Sequence, residues 1–251
     1  MAGLRERLYI STVDENAAAL ARSNGLGLEL ADFCTALNLD QPERGKREAA
    51  MADRMSGLSR FVLHAPFCEL TPCAVDPMIG EVSRFRYEQA AELALAHGVK
   101  RLVIHSGFVP NVYYPGWYME QAPRFWREYL ATKPADFELL LENVLDPEPG
   151  ILARTVAAVG DSRLGLCLDI GHATVYSERP WQEWTEAFAP YLRHVHLHDN
   201  DGAADLHLPL GTGALPLKPW LEALEQARPT YTLENMDAAP SVHWLEEQGL
   251  L

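Results

Sequence analysis

Eight short apolar runs, separated by longer stretches with helical punctuation, recur along this chain and leave little freedom in how it can fold. They are Leu8–Ser11, Leu26–Leu30, Arg60–His64, Arg101–His105, Glu138–Glu142, Leu164–Asp169, Arg193–His198 and Thr230–Glu234. Each has the length of a strand. Between them the pattern predicts helices over Asn16–Ser23, with Asp14 or Thr12 as its cap, and from Gln41–Arg47 to about Gly57. Others are predicted from Asp76-Pro77 through Leu95, stopping near Gly98, and over Gly150–Val159, Trp181–Tyr191, Pro219–Gln226 and Ser241–Gln248. A proline just inside a helix start and a glycine just past its end are what backbone sterics favour. The fourth run leads into a loop, Ser106–Tyr118, rich in Gly, Pro and aromatic residues. Strands alternating with helices predict a parallel sheet, and eight such units predict closure into a (β/α)8 barrel. The 251 residues suit one such barrel, and no linker divides them, so one domain over 1–251 is expected.

In a barrel of this kind the chemistry sits at the carboxyl ends of the strands. The third strand ends in His64, the fourth in His105, the fifth in Glu142, the sixth in Asp169 and the eighth in Glu234. The seventh reads Arg-His-Val-His-Leu-His, so strand alternation puts His194, His196 and His198 on one face and Val195 and Leu197 on the other. The following loops add His172, in Asp-Ile-Gly-His, and the pair Asp205 and His207. Any one inward histidine is explained by a bond to a carbonyl. Nine such residues converging on one mouth are not, because buried unpaired acids and imidazoles are costly.

Mixed imidazole and carboxylate donors suit Zn²⁺ first, and also Mn²⁺, Fe²⁺ or Co²⁺. Nine donors exceed what one ion uses, so two or three ions are expected. Multi-metal sites activate water and hold both oxygens of a phosphoester being cleaved. A second reading needs fewer ions. Leu141-Glu142-Asn143 and Leu233-Glu234-Asn235 repeat one ending on two strands, and two facing carboxylates can move a proton between carbons, which is isomerase or epimerase chemistry. A third reading is a non-catalytic metal-binding protein.

The motifs Asp169-Ile170-Gly171-His172, His196-Leu197-His198-Asp199 and Asp205-Leu206-His207 make the chain resemble the xylose-isomerase-like TIM-barrel superfamily, which contains endonuclease IV and sugar isomerases and epimerases. The resemblance spans essentially the whole chain. By the endonuclease IV pattern it implies one ion on His64, His105 and Glu142. A second would share Glu142 and add Asp169, His196 and Glu234, and a third would use His172, Asp205 and His207. The epimerase pattern implies one ion on Glu142, Asp169, His196 and Glu234, with the two glutamates as acid and base. Epimerases related to tagatose epimerase carry an arginine six residues after the strand-seven histidine, where this chain has Gly202.

Glu142, Glu234 and His172 are thus the candidate catalytic groups. Phe67, His198, Tyr113 and Trp117 are the candidate substrate contacts; His198 and its neighbour Asp199 either touch substrate or orient the ligands from behind. His194, deeper in the strand, is expected to be structural, and His97 and His243 to lie at the surface.

The net charge of −14 argues against a nucleic-acid partner, since binding a polyanion leans on Lys and Arg. The expected substrate is therefore a small sugar-like or phosphorylated molecule rather than duplex DNA. No apolar run approaches the ~18 residues of a membrane span. The first residues lack a signal peptide's apolar core. Cys34, Cys68, Cys73 and Cys167 form no tight metal pattern, and Cys167 reads as a buried free thiol. A reducing cytoplasm is the expected compartment.

Overall fold

A computed structural model describes residues 3–251 of the chain. Eight parallel strands close in sequence order into a barrel: β1 (Leu8–Ser11), β2 (Gly27–Leu30), β3 (Phe61–His64), β4 (Arg101–His105), β5 (Glu138–Glu142), β6 (Leu164–Asp169), β7 (Leu192–Leu197) and β8 (Thr230–Leu233). Outside them run α1 (Ala17–Asn24), α2 (Glu43–Met55), α3 (Pro77–Ala96), α4 (Pro115–Ala131), α5 (Gly150–Val159), α6 (Ile170–Val175), α7 (Trp181–Phe188), α8 (Leu217–Leu224) and α9 (Ala239–Glu247). The expected (β/α)8 barrel is the observed one.

Both faces of the strands are covered, so the strands read as nearly continuous apolar runs. The period of two sorts their side chains. One set faces the helices in a large core that includes Ile10, Leu63, Ile104, Leu141, Leu168 and Val195. A second, small cluster (Tyr9, Val62, Val103, Leu140 and Cys167) lies apart from it. His64, His105, Glu142 and Asp169 stand two residues beyond Val62, Val103, Leu140 and Cys167. They therefore share that inner face, one layer nearer the mouth. Register completes the placement: His105 pairs with Glu142 across β4 and β5, and Asp169 with His196 across β6 and β7. At the opposite end Arg101 and Arg193 both bond Glu138.

The structure corrects four expectations. A 17-residue helix, α4, starts at Pro115 inside the segment read as a loop. Pro115 supplies its start, and Tyr118, Ala122, Phe125, Trp126 and Tyr129 form its buried stripe at helical spacing. Pro123 inside that stripe disguised it, because an interior proline ordinarily breaks a helix. The short helix α6 was also not foreseen. Asp169 starts it by accepting the His172 main-chain N–H at 2.7 Å. Neither Asp14 nor Thr12 caps α1, whose N-cap is Asn16. Asp14 instead accepts the amides of Asn16 and Ala238, and Thr12 the amide of Ala31. His97 is only partly exposed, bonded to Glu48 at 2.9 Å, while His243 lies at the surface as expected.

Candidate metal centre

The carboxyl ends of β3 to β8 and the loops after β6 and β7 bring nine donor residues into three adjoining groups. His64, His105 and Glu142 form one, Glu142, Asp169, His196 and Glu234 a second, and His172, Asp205 and His207 a third. Within each group the candidate donor atoms lie within 4.8 Å of one another. Glu142 joins the first two: Oε2 is 3.2 Å from His64 Nε2 and 3.5 Å from His105 Nε2, and Oε1 is 3.1 Å from His196 Nδ1. Glu234 approaches the same His196 nitrogen to 3.2 Å. In the third group Asp205 Oδ2 is 3.1 Å from His172 Nε2 and 3.2 Å from His207 Nε2.

The orientation of the imidazoles is fixed from behind. His64 Nδ1 bonds the Ala65 carbonyl at 2.9 Å, His172 Nδ1 that of Asn143 at 3.0 Å, and His207 Nδ1 that of Glu234 at 2.8 Å. A carbonyl only accepts, so each Nδ1 carries a proton and each Nε2 is turned toward its group. That is how histidines are held for an ion. His196 is turned the other way. Its Nδ1 faces the group and its Nε2 lies 3.0 Å from Glu29 Oε1, off the line of a good hydrogen bond. His105 has the Phe67 ring stacked on it at 4.2 Å.

The donor set fits divalent cations. Four carboxylates meet at the mouth, and among the described residues no Lys or Arg pairs with any of them; their ion-pair partners are all histidines. Asp205 Oδ1 is buried with no hydrogen-bond partner. Without cations, protons on the imidazoles balance the acids. Burial works against a charged His172, but Asp169, Asp205 and Glu142 outweigh it and lift its pKa to about 10. Burial likewise opposes charge on His207, and Asp205, Glu234 and Asp169 raise it to about 9. Burial would raise Asp169, yet His172 and His198 bring it down to about 2. Burial also opposes charge on Glu142, which His196, with the hydrogen bond from His64, nevertheless holds well below the carboxylate range. His105 is the exception: burial dominates there and pushes it down to about 3, which leaves a neutral imidazole.

Several groups absent from the expected donor set support it. Glu29, on β2, is fully buried and accepts from His194 and Thr232 at 3.0 and 2.6 Å, so His194 belongs to the wall beneath the site. Asn143 braces the ends of β5 and β6, donating to the Asp169 carbonyl and accepting its N–H. Asn235 holds the His207 loop through the carbonyls of His207 and Leu208. The repeated Leu-Glu-Asn ending was the visible signal for both asparagines. Their partners, distant in sequence, were not visible. His207 itself sits at φ +48°, a left-handed conformation sparsely used by residues with a side chain.

Two of the four expected substrate contacts, His198 and Trp117, line neither cavity at the mouth. His198 is fully buried, with Nε2 3.1 Å from both Asp169 oxygens and its ring stacked 4.0 Å from His207. Alternation placed it on the inner face but could not show that α6 covers it. A Cβ on Gly171 would come 1.9 Å from the His198 ring, which explains the glycine of Asp-Ile-Gly-His. Trp117 is on the first turn of α4, with its indole N–H donated to the Cys73 carbonyl at 2.7 Å, and lines neither cavity at the mouth. Phe67 borders both cavities and Tyr113 one of them. Asp199 is buried and accepts the amides of Asn200, Gly211, Gly213 and Leu215, so it shapes the loop.

A family model described as a xylose isomerase-like TIM barrel matches residues 18–247. A Thermus thermophilus protein soaked with zinc chloride is 28% identical and superposes with a TM-score of 0.77 over 97% of each chain. A structure described as a D-tagatose 3-epimerase-like protein has a TM-score of 0.75 at 20% identity, over 97% of this chain and 96% of that one, a likeness of fold. A probable endonuclease 4 of Mycobacterium ulcerans is 26% identical over 223 residues, 82% of this chain and 83% of that protein. An uncharacterised protein of Methanocaldococcus jannaschii is 27% identical over 176 residues, 66% of this chain and 60% of that relative's length.

Proposed function

The chain belongs to the xylose isomerase-like TIM-barrel family, and on that premise we propose that it is a metal-dependent hydrolase of a phosphoester, or a related bond, in a small, sugar-containing molecule. The observation that carries this reading is the third donor group. A hydroxy-ketone isomerase needs one ion and two bases, which Glu142, Asp169, His196 and Glu234 supply. His172, Asp205 and His207 adjoin that quartet with their own rings set from behind and Asp205 Oδ1 left without a hydrogen-bond partner. The first two groups share Glu142, and all three would together hold two or three divalent ions, zinc foremost and manganese, iron or cobalt by the same donor chemistry. Such ions supply an acidified water and offset charge on a phosphoryl oxygen.

The chain's own side chains do the rest. Glu142 is enclosed and fixed by His64 and His196. Glu234 keeps 14% of its side chain exposed and borders the opening, where it can pass a proton to or from a bound molecule. His172 also borders the opening, its Nδ1–H held by the Asn143 carbonyl and its Nε2 presented beside Asp205. Phe67 closes one wall against water. A reducing compartment suits the four unpaired thiols, and among the described residues no helix is long and apolar enough to cross a membrane.

Changing Asp205 and His207 together to Ala tests the reading. Turnover of a small phosphoester is expected to fall by about two orders of magnitude or more, together with loss of one ion per chain. Retention of full turnover and metal content would overturn it.

A second reading has its own observation. Glu142 and Glu234 approach His196 Nδ1 to 3.1 and 3.2 Å, so two carboxylates flank one point as the acid and base of a sugar isomerase or epimerase would. In that case the double variant keeps its metal and changes mainly substrate affinity.

A further inference from the structure

A second cavity of about 360 Å³ opens beside the metal-type cluster and shares Phe67, His105 and Val144 with it. Its walls are Leu70, Phe108, Val109, Val112, Tyr113 and Leu145. Of the polar side chains that border it, Ser106 and Thr71 are already engaged, while Tyr113 presents its ring with the hydroxyl at the edge. Ser106 Oγ donates to Asp146 at 2.8 Å, and Thr71 Oγ1 lies 3.2 Å from Cys73 Sγ. No Lys or Arg lines it, and its one carboxylate, Glu69, is exposed. The walls are fixed at close quarters. Gly107 has φ +67°, and a Cβ there would come 2.8 Å from the Leu70 carbonyl oxygen and 2.9 Å from Thr71 Cα. The floor is the Phe67 ring, lying nearly parallel to the His105 imidazole at 4.2 Å and 19°. The rim is apolar as well, with Val109 and Val112 exposed at 37% and 64%.

Several sugar hydroxyls or a second phosphate would find few partners here beyond the Tyr113 hydroxyl, and burying the rest unpaired is costly. A flat apolar ring is what these walls complement. An apolar cavity of about 150 Å³ already takes up benzene, so this one has room for a substituted ring. We propose that this chamber seats an aryl group of the substrate, attached to the ester oxygen function that the donor groups hold. The inference rests on the metal-centred reading above and adds to it the substrate class: an aryl-bearing ester rather than a plain sugar phosphate.

The test titrates the zinc-loaded protein with phenylphosphonate and with methylphosphonate, neither of which requires turnover. Phenylphosphonate is expected to bind about tenfold tighter or better, the scale that burial of a ring's apolar surface allows. Leu145→Asp should erase that advantage while leaving methylphosphonate binding, which reads the metal centre alone, in place. If Leu145→Asp binds neither, Val112→Asp on the exposed rim replaces it and should reduce the same advantage. Equal affinities for the two phosphonates in the unaltered protein would overturn the chamber's role and leave the metal-centred reading standing. An advantage that survives both substitutions would place the ring elsewhere and overturn the proposal. Binding of neither phosphonate would remove the reading beneath it, and the proposal with it.

Discussion

An imidazole offers an ion one nitrogen, and which one depends on what the other touches. At His64, His172 and His207 a main-chain carbonyl makes that choice, and at His196 the neighbour is Glu29. Glu29 is held well below the usual carboxylate range: burial opposes its charge, but His196 and His194 outweigh burial. It is therefore an anion set against the back of a donor ring, an arrangement that orients the ring and raises its basicity. Glu29→Gln keeps the shape and removes the charge. It is expected to weaken retention of the ion on the Glu142, Asp169, His196 and Glu234 group by roughly 10–100-fold, read by chelator competition. Unchanged retention would show that Glu29 serves only the packing of the barrel. At this scale six of the nine donor-type residues were legible because strand alternation and strand ends fix their direction, and His172, Asp205 and His207, beyond the strands, through their motifs. For His198 two roles stayed open, substrate contact or orienting group, because direction alone does not give depth; its contact with Asp169 accords with the second.

The elements add the bracing. The last residue of each Leu-Glu-Asn ending reaches sideways to a neighbouring segment instead of into the mouth. Asn235, itself buried, donates to two carbonyls of the half-buried His207 loop and accepts from the buried Ser241 at 2.7 Å. Asn235→Ala strips those partners and is expected to cost about 2–4 kcal/mol of stability, read as a fall in thermal midpoint. It should also loosen the third donor group, since His207 stands in a left-handed conformation that needs outside support. A variant as stable as the parent would remove the bracing role. The eight strands were readable to within a residue or two because each is a short apolar run buried on both faces. The helix α4 was not, because Pro123 in its buried stripe carries a local signal that packing against the barrel overrides. Nor were the asparagine bridges, which join residues up to 28 positions apart.

For the whole molecule, the net charge of −14 and the acid-rich mouth act together to favour cations. Without metal, His172 and His207 titrate at about 10 and about 9, so both carry protons at neutral pH. An ion entering their group must displace them. Its binding should release about two protons and tighten steeply as pH rises from 6 toward 9, weakening as pH falls. Calorimetry in buffers of different ionisation enthalpy reads that proton count, and an affinity independent of pH would contradict it. The central claim, a multi-ion centre rather than a single-ion site, is tested most directly by counting metal. The protein would be stripped with chelator, reloaded with Zn²⁺, freed of unbound ion and assayed by elemental analysis. The account predicts two to three zinc ions per chain, with one fewer in the Asp205→Ala, His207→Ala double variant. One ion per chain, unchanged in the double variant, or none above trace, would contradict it.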